Sequence, residues 1–311
     1  MPGAFLYTND TVGPRLLIRS SGTPDIPFWE LLTHEGWHQF CSLEVSTAMP
    51  LWLDEGMAMY LGYGIFTGDG TVEGTIRPAV YYSLLESAPQ FEPLSEFFKI
   101  DSAEWYRRTG NGTVWASYMQ GWSLVHFLRH ADNGRHSKLL DDYIADVAAG
   151  RDTASAQRKI IALESRYKRW INGLTFSDEH TKFYEALAGI LTSHLARAHA
   201  EGQRFDDGDD FLQAFREGTL KMPPSGDANW LPPSLRSSGL WYLTQMDAAY
   251  GACDVEIGYR NGRPGLRLTH SSAGIDLRGM FTLESDGEVE SVDVTWLRTP
   301  PDDLEDDYLG N

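Results

Sequence analysis

Apolar positions recur at helical spacing as far as Ala200 and alternate at every second residue only beyond Asp254. Ahead of the first helix, residues 4–7 (Ala-Phe-Leu-Tyr) and 15–19 (Arg-Leu-Leu-Ile-Arg) read as two strands joined across residues 8–14. A helix follows almost at once. Asp25 can cap it, Pro27 suits its first turn, and Phe28, Leu31 and Leu32 form its apolar stripe. Further helices are predicted over residues 77–85, 93–99, 138–149, 155–174 and 179–200, with an apolar helix running from Tyr118 to Leu128. Residues 105–113, polar and glycine-containing, read as a loop ahead of that last helix.

The texture of the chain changes near residue 202. Residues 206–210 (Asp-Asp-Gly-Asp-Asp) lack the alternating ligands and closing Glu of a calcium loop and read as a solvated turn. Residues 222–233 are rich in Pro and Gly and read as linker. Two hairpins follow: residues 254–259 with 266–270 across Asn261-Gly262, and 277–284 with 289–296 across Asp286-Gly287. The organisation expected is α+β. A mainly helical domain with a small edge sheet covers residues 1–202, a linker region 203–234, a small antiparallel β domain 235–298, and an acidic tail 299–311. The β domain contains no acid, base and ligand grouping and is expected to be an accessory.

The candidate chemistry sits in the first helix, as His34-Glu35-Gly36-Trp37-His38. Four helical residues turn through about 400°, so the two histidines share one face, one turn apart. Two imidazoles at that spacing can hold one tetrahedral zinc. Glu35 lies about 100° round the helix, beside the ion, where a base must stand to take a proton from water. Glu55, in the helix-like run Leu51-Trp52-Leu53-Asp54-Glu55-Gly56-Met57-Ala58, is the expected third ligand. Two neutral histidines and one carboxylate leave one position open, the pattern of catalytic rather than structural zinc.

Other residues read more plainly. Cys41 shares the histidine face but lies about 10 Å along the axis, so it reads as a buried free thiol. Trp37 and Trp52 read as packing residues, and Gly36 and Gly56 as places where helices approach closely. His126 and His130, four apart with no acidic motif beside them, read as a pair on a helix surface.

These residues resemble a known group, the gluzincin metallopeptidases, and most closely their peptidase MA-like branch. The shared pattern is H-E-x-x-H followed by P-x-W-x-x-E-G-x-A, here Pro50, Trp52, Glu55, Gly56 and Ala58. The resemblance covers residues 28–61 and continues more weakly to about residue 174. Tyr118-Met119-Gln120-Gly121 resembles the Tyr-x-x-Gly helix of the same group, which implies that the Tyr118 hydroxyl donates to the oxyanion of a tetrahedral intermediate. The resemblance implies a zincin-like fold, a Zn²⁺ cofactor held by His34, His38 and Glu55, Glu35 and Tyr118 as catalytic groups, and hydrolysis of peptide bonds in a peptide or protein substrate. The edge strand beside such a metal helix commonly takes extended substrate, and residues 15–19 are assigned to it. Two departures matter. The G-x-M-E-N strand that reads a free amino group is missing, which speaks against exopeptidase action. The acid that some gluzincins carry one turn after the third ligand, to orient a histidine, is replaced by Met59. Asp54 is next to the ligand but is expected to point elsewhere on its helix.

Composition removes several classes. Net charge is −18, from 26 Lys and Arg against 44 Asp and Glu, and such a surface repels a phosphate backbone. No nucleic acid is therefore expected as a partner. No run of eighteen apolar residues offers a transmembrane segment. Residues 1–4 lack the start of a signal peptide, so the chain as it stands reads as cytoplasmic, or as exported if a leader precedes it. Two cysteines, Cys41 and Cys253, make no disulfide framework. Oligomeric state is left open. Two other functions are compatible with the same residues: a catalytically inactive zincin-like binding or assembly protein, and a metal-dependent hydrolase of non-peptide substrates.

Overall fold

The computed structural model describes residues 28–45, 49–68, 70–174, 176–222, 231–260, 263–271, 274–285 and 287–297. The strands expected at residues 4–7 and 15–19, the cap at Asp25, the first-turn proline at Pro27 and the acidic tail lie outside the described residues. Within them the chain is mostly helical, with twelve α-helices, one two-stranded antiparallel sheet and one four-stranded antiparallel sheet near the C-terminus. No helix among the described residues is long and apolar enough to cross a membrane. The chain divides into two compact units. One comprises residues 30–64 and 79–174, the other residues 28–29, 65–78 and 176 onward.

The first unit holds α1 (Phe28–Glu44, from Glu30 on), α2 (Leu51–Gly62), α3 (Pro78–Ser87, from Ala79 on), α4 (Leu94–Phe97), α5 (Ser102–Asn111), α6 (Val114–Gly134), α7 (Ser137–Ala148), α8 (Ala154–Ile161) and α9 (Glu164–Gly173). Its centre is the crossing of α2 with α6. Both helices are buried nearly all round, as their apolar composition requires. They meet backbone to backbone. A Cβ on Gly56 would stand 2.7 Å from the Gly121 carbonyl oxygen, and one on Gly121 would stand 2.7 Å from that of Trp52. The expected close approach at Gly56 is therefore made against the glycine of the Tyr-x-x-Gly run. Trp52 packs as expected, stacked on Phe98 with ring centroids 4.7 Å apart.

Two expectations in this unit are corrected. Residues 105–113 are largely helical rather than a loop. Asp101 caps α5 by accepting from the Glu104 N–H, Glu104 pairs with Arg107 and Arg108 one turn on, and Gly112 closes the helix in the left-handed region. Trp105 is the only residue of α5 that is buried, so the apolar pattern is too thin to announce the helix. His126 and His130 are not a surface pair. His126 is buried in α6 and stacks on Trp170 with centroids 5.4 Å apart, and the Tyr60 hydroxyl lies 2.8 Å from Nε2 of His130. Packing of Trp170 of α9 and Tyr60 of α2 against α6 covers the side on which the two rings stand, and leaves His130 half-buried.

The second unit holds the hairpin of β1 (Ile65–Phe66) with β2 (Thr71–Val72), then α10 (Phe176–Ala200), α11 (Gly208–Glu217), α12 (Leu231–Tyr250), and the strands β3 (Asp254–Arg260), β4 (Arg263–His270), β5 (Ile275–Leu283) and β6 (Val289–Trp296). The four strands form an antiparallel meander in sequence order, with the two expected hairpins as its outer pairs. Alternate residues Leu266, Leu268, Leu277 and Phe281 form one core with Phe183, Leu187 and Leu191 of α10. Gly279 gives that helix room on β5, since a Cβ there would overlap the Thr192 side chain.

The domain organisation accordingly differs from the expected one. The break falls at residues 174–176 rather than 202, because α10 covers the sheet. Residues 203–234 are not simply a linker. The acidic run 206–210 starts α11, where Asp207 accepts from the Asp210 N–H and Phe211, Leu212 and Phe215 are buried. Residues 231–250 are helical, so the region expected to be a β domain from 235 begins with most of α12. The tandem prolines at 232–233 read as linker in sequence, yet they lie in the first turn of α12, where the missing N–H costs nothing.

Candidate metal centre

His34 and His38 lie on α1 and Glu55 on the first turns of α2, and one ligand atom from each lies within 4.8 Å of the others. This is the one such His/Cys/Asp/Glu group among the described residues. Nε2 of His38 stands 3.4 Å from Glu55 Oε2, and Nε2 of His34 stands 3.8 Å from the same oxygen. The two rings are 5.0 Å apart and nearly perpendicular. Helical spacing aligns the histidines, and the close passage of α2 along α1 brings Glu55 to face them. Gly62 lets α2 run close to α1, since a Cβ there would stand 3.0 Å from the Glu30 carbonyl oxygen.

Asp54 was expected to point away, and this is corrected. Its Oδ1 lies 3.1 Å from Nδ1 of His38 and accepts from the Trp37 indole N–H at 3.0 Å. The two nitrogens of an imidazole point in divergent directions. Two successive residues of α2, about 100° apart round the helix, can therefore flank one ring. A carboxylate only accepts, so Asp54 keeps a proton on Nδ1 of His38, and Nε2 is the nitrogen that would give up its proton to bind an ion. Trp37, read as packing, thus also holds the orienting acid. The cue in the sequence was the acid beside the third ligand, and its meaning depended on how α1 crosses α2.

The electrostatics favour a cation. Burial, with help from His38, pushes His34 down to about 4. Burial also acts to lower His38, but contacts with Asp54 and Glu55 outweigh it and hold that imidazole up at about 10. The cluster thus already attracts one positive charge, which a divalent ion would replace. Glu55 Oε2 is buried and accepts no hydrogen bond. Burial raises the pKa of Glu35, with His38 acting against it and Glu55 adding to it. A carboxyl so placed takes up a proton more readily than an exposed one.

Tyr118, on the second turn of α6, donates to Glu55 Oε1 at 3.4 Å, the long end of the range for such a bond. Burial and the Glu55 charge push its phenol up to about 12, so it remains a donor at neutral pH. Trp105 stands edge-on to it, with centroids 5.2 Å apart. Arg108 reaches Ser117, the residue before it, at 2.9 Å, while pairing with Glu92 at 2.6 Å. The helix missed in the sequence is therefore what packs against this tyrosine. Cys41 is buried and free, its thiol pushed up to about 12 by burial. Cys253 is likewise a buried free thiol.

Compared with protein-family models, with curated proteins and with solved structures, the chain matches none.

Proposed function

We propose that the protein is a zinc-dependent, zincin-like metallopeptidase of the gluzincin type. The observation that carries the reading is the convergence of Nε2 of His34, Nε2 of His38 and the Glu55 carboxylate on one point. Two imidazoles and one carboxylate suit zinc among the divalent metals. An ion held there supplies Lewis-acid polarisation of a carbonyl and makes water more acidic. Glu35 takes the proton from the attacking water as the new C–O bond forms. It then returns that proton to the amine nitrogen as the C–N bond breaks. Tyr118 turns its hydroxyl from Glu55 to the developing oxyanion. Asp54 holds His38 in the tautomer that leaves Nε2 free.

The test has two parts. Metal analysis of the purified chain is expected to find about one zinc per molecule, as for a single three-ligand site. His34→Ala and Glu55→Ala should lower that occupancy sharply. Glu35→Gln should retain the metal and lose hydrolysis of a casein or peptide-library substrate. Full zinc occupancy in both ligand variants would sink the assignment. A Glu35→Gln variant with unchanged turnover would remove the base. Zinc binding without hydrolysis in the wild-type chain would favour the inactive binding protein.

A further inference from the structure

The face of the four-stranded sheet turned away from α10 carries an unusual charge pattern. Val255, Leu266, Leu268, Leu277 and Phe281 point into the core, so the alternate residues Glu256, Arg260, Arg263, Arg267, Asp276 and Arg278 share the other face. The strand register sets arginine against arginine twice, Arg260 opposite Arg263 and Arg267 opposite Arg278. Like charges directly opposed across strands are destabilising unless something neutralises them. In a chain of net charge −18 this is a local exception.

Two of the four arginines are neutralised within the sheet. Arg267 is gripped by Asp276 at 2.8 and 3.0 Å, and Arg263 pairs with Asp293 at 2.8 Å. Arg278 has no ion pair among the described residues, and its Nη1 is buried without a hydrogen-bond partner. Leaving a buried charged donor unmet is costly. Beside Arg278 lies a depression of about 280 Å³, walled by Arg260, Arg267, Arg278, Glu256 and Met280. Its floor is the cross-strand pair Gly258 and Gly265, and a Cβ on Gly258 would project into open space. Three guanidinium groups, of which Arg267 is already held by Asp276 and Glu256, therefore border a hollow that the missing side chain of Gly258 keeps open.

We propose that this depression is an oxyanion-binding site, taking a phosphate or carboxylate group of a small ligand on Arg278, with Arg260 and Arg267 at its rim. Guanidinium forks suit both groups because each offers paired acceptor oxygens in one plane. The site belongs wholly to the second unit and is independent of the proposed peptidase reading.

The full-length chain is titrated with inorganic phosphate and, separately, with succinate, and amide shifts of β3–β5 are followed by NMR. Saturable shifts at Gly258, Gly265 and Arg278 with at least one of the two anions are expected. Whichever anion saturates identifies the group recognised. Arg278→Gln should weaken binding by about tenfold or more, and Arg278→Lys should weaken it too, since charge without the fork is not enough. Arg260→Gln, at an exposed position where folding is not at risk, should weaken it several-fold. Arg263→Gln, on the same face but outside the depression, should leave it unchanged. No saturable shift with either anion overturns the proposal, as does equal affinity in the wild type and in Arg278→Gln or Arg260→Gln.

Discussion

Asp54 and Glu55 are adjacent in sequence and approach different sides of one imidazole, at Nδ1 and Nε2 of His38. Asp54→Ala should therefore lower zinc affinity by roughly 10–100-fold while leaving all three ligands in place. Competition with a chelator of known affinity measures this, and an unchanged constant would reduce Asp54 to a surface acid. The ligands themselves were legible in the sequence because His34, Glu35 and His38 are tied together by a single helical turn. Asp54 was not, because its role depends on how two helices cross, which no local spacing encodes. His194 offers a separate test. Its Nδ1 donates to the Ile190 carbonyl at 2.8 Å, its Nε2 is buried without a partner, and burial pushes it down to about 4. The folded chain thus keeps it neutral while the unfolded chain protonates near 6.5. Its contribution is fully present above that value and is lost as pH falls towards 4. Stability should drop by about 3 kcal/mol from this group between neutral pH and pH 4. Denaturant titrations of the wild type and of His194→Gln across that window decide it, and parallel slopes would refute the assignment.

At the scale of elements, the contact between Gly56 and Gly121 sets how near Tyr118 stands to Glu55. Gly121→Ala inserts a methyl group where a carbonyl oxygen already stands, so about 1–3 kcal/mol of stability should be lost as α6 is pushed off α2. Hydrolysis should fall as well, because the phenol retreats from Glu55. Thermal unfolding and turnover are measured together, and a fully stable variant would show that the crossing tolerates separation. Helices with a strong apolar face, such as α6 and α10, were readable from periodicity. The ones missed have other origins. Helix α5 rests on a cap and ion pairs, α11 begins in a run of aspartates that looks like a turn, and α12 begins with prolines that look like a linker. The β meander was readable because its strands alternate cleanly on either side of Asn-Gly and Asp-Gly pairs.

At the scale of the whole molecule, every group of the candidate metal centre belongs to the first unit. A chain ending at residue 220 should therefore still bind zinc. It should also associate, because α10 loses the sheet that covers Phe183, Leu187 and Leu191. Metal analysis together with light scattering tests both halves, and a folded, monomeric truncation devoid of zinc-binding capacity would refute the first. The path of the chain has one more consequence. Residues 65–78 belong with a helix that begins about a hundred residues later, at Phe176. During synthesis the β1–β2 hairpin leaves the ribosome on the order of ten seconds before α10 is complete. Through that interval Ile65 and its neighbours have no core to join, while the segment that will form the first unit is still being made around them. The order in which this protein can fold is thus written into its connectivity: the second unit is opened early, suspended, and closed last.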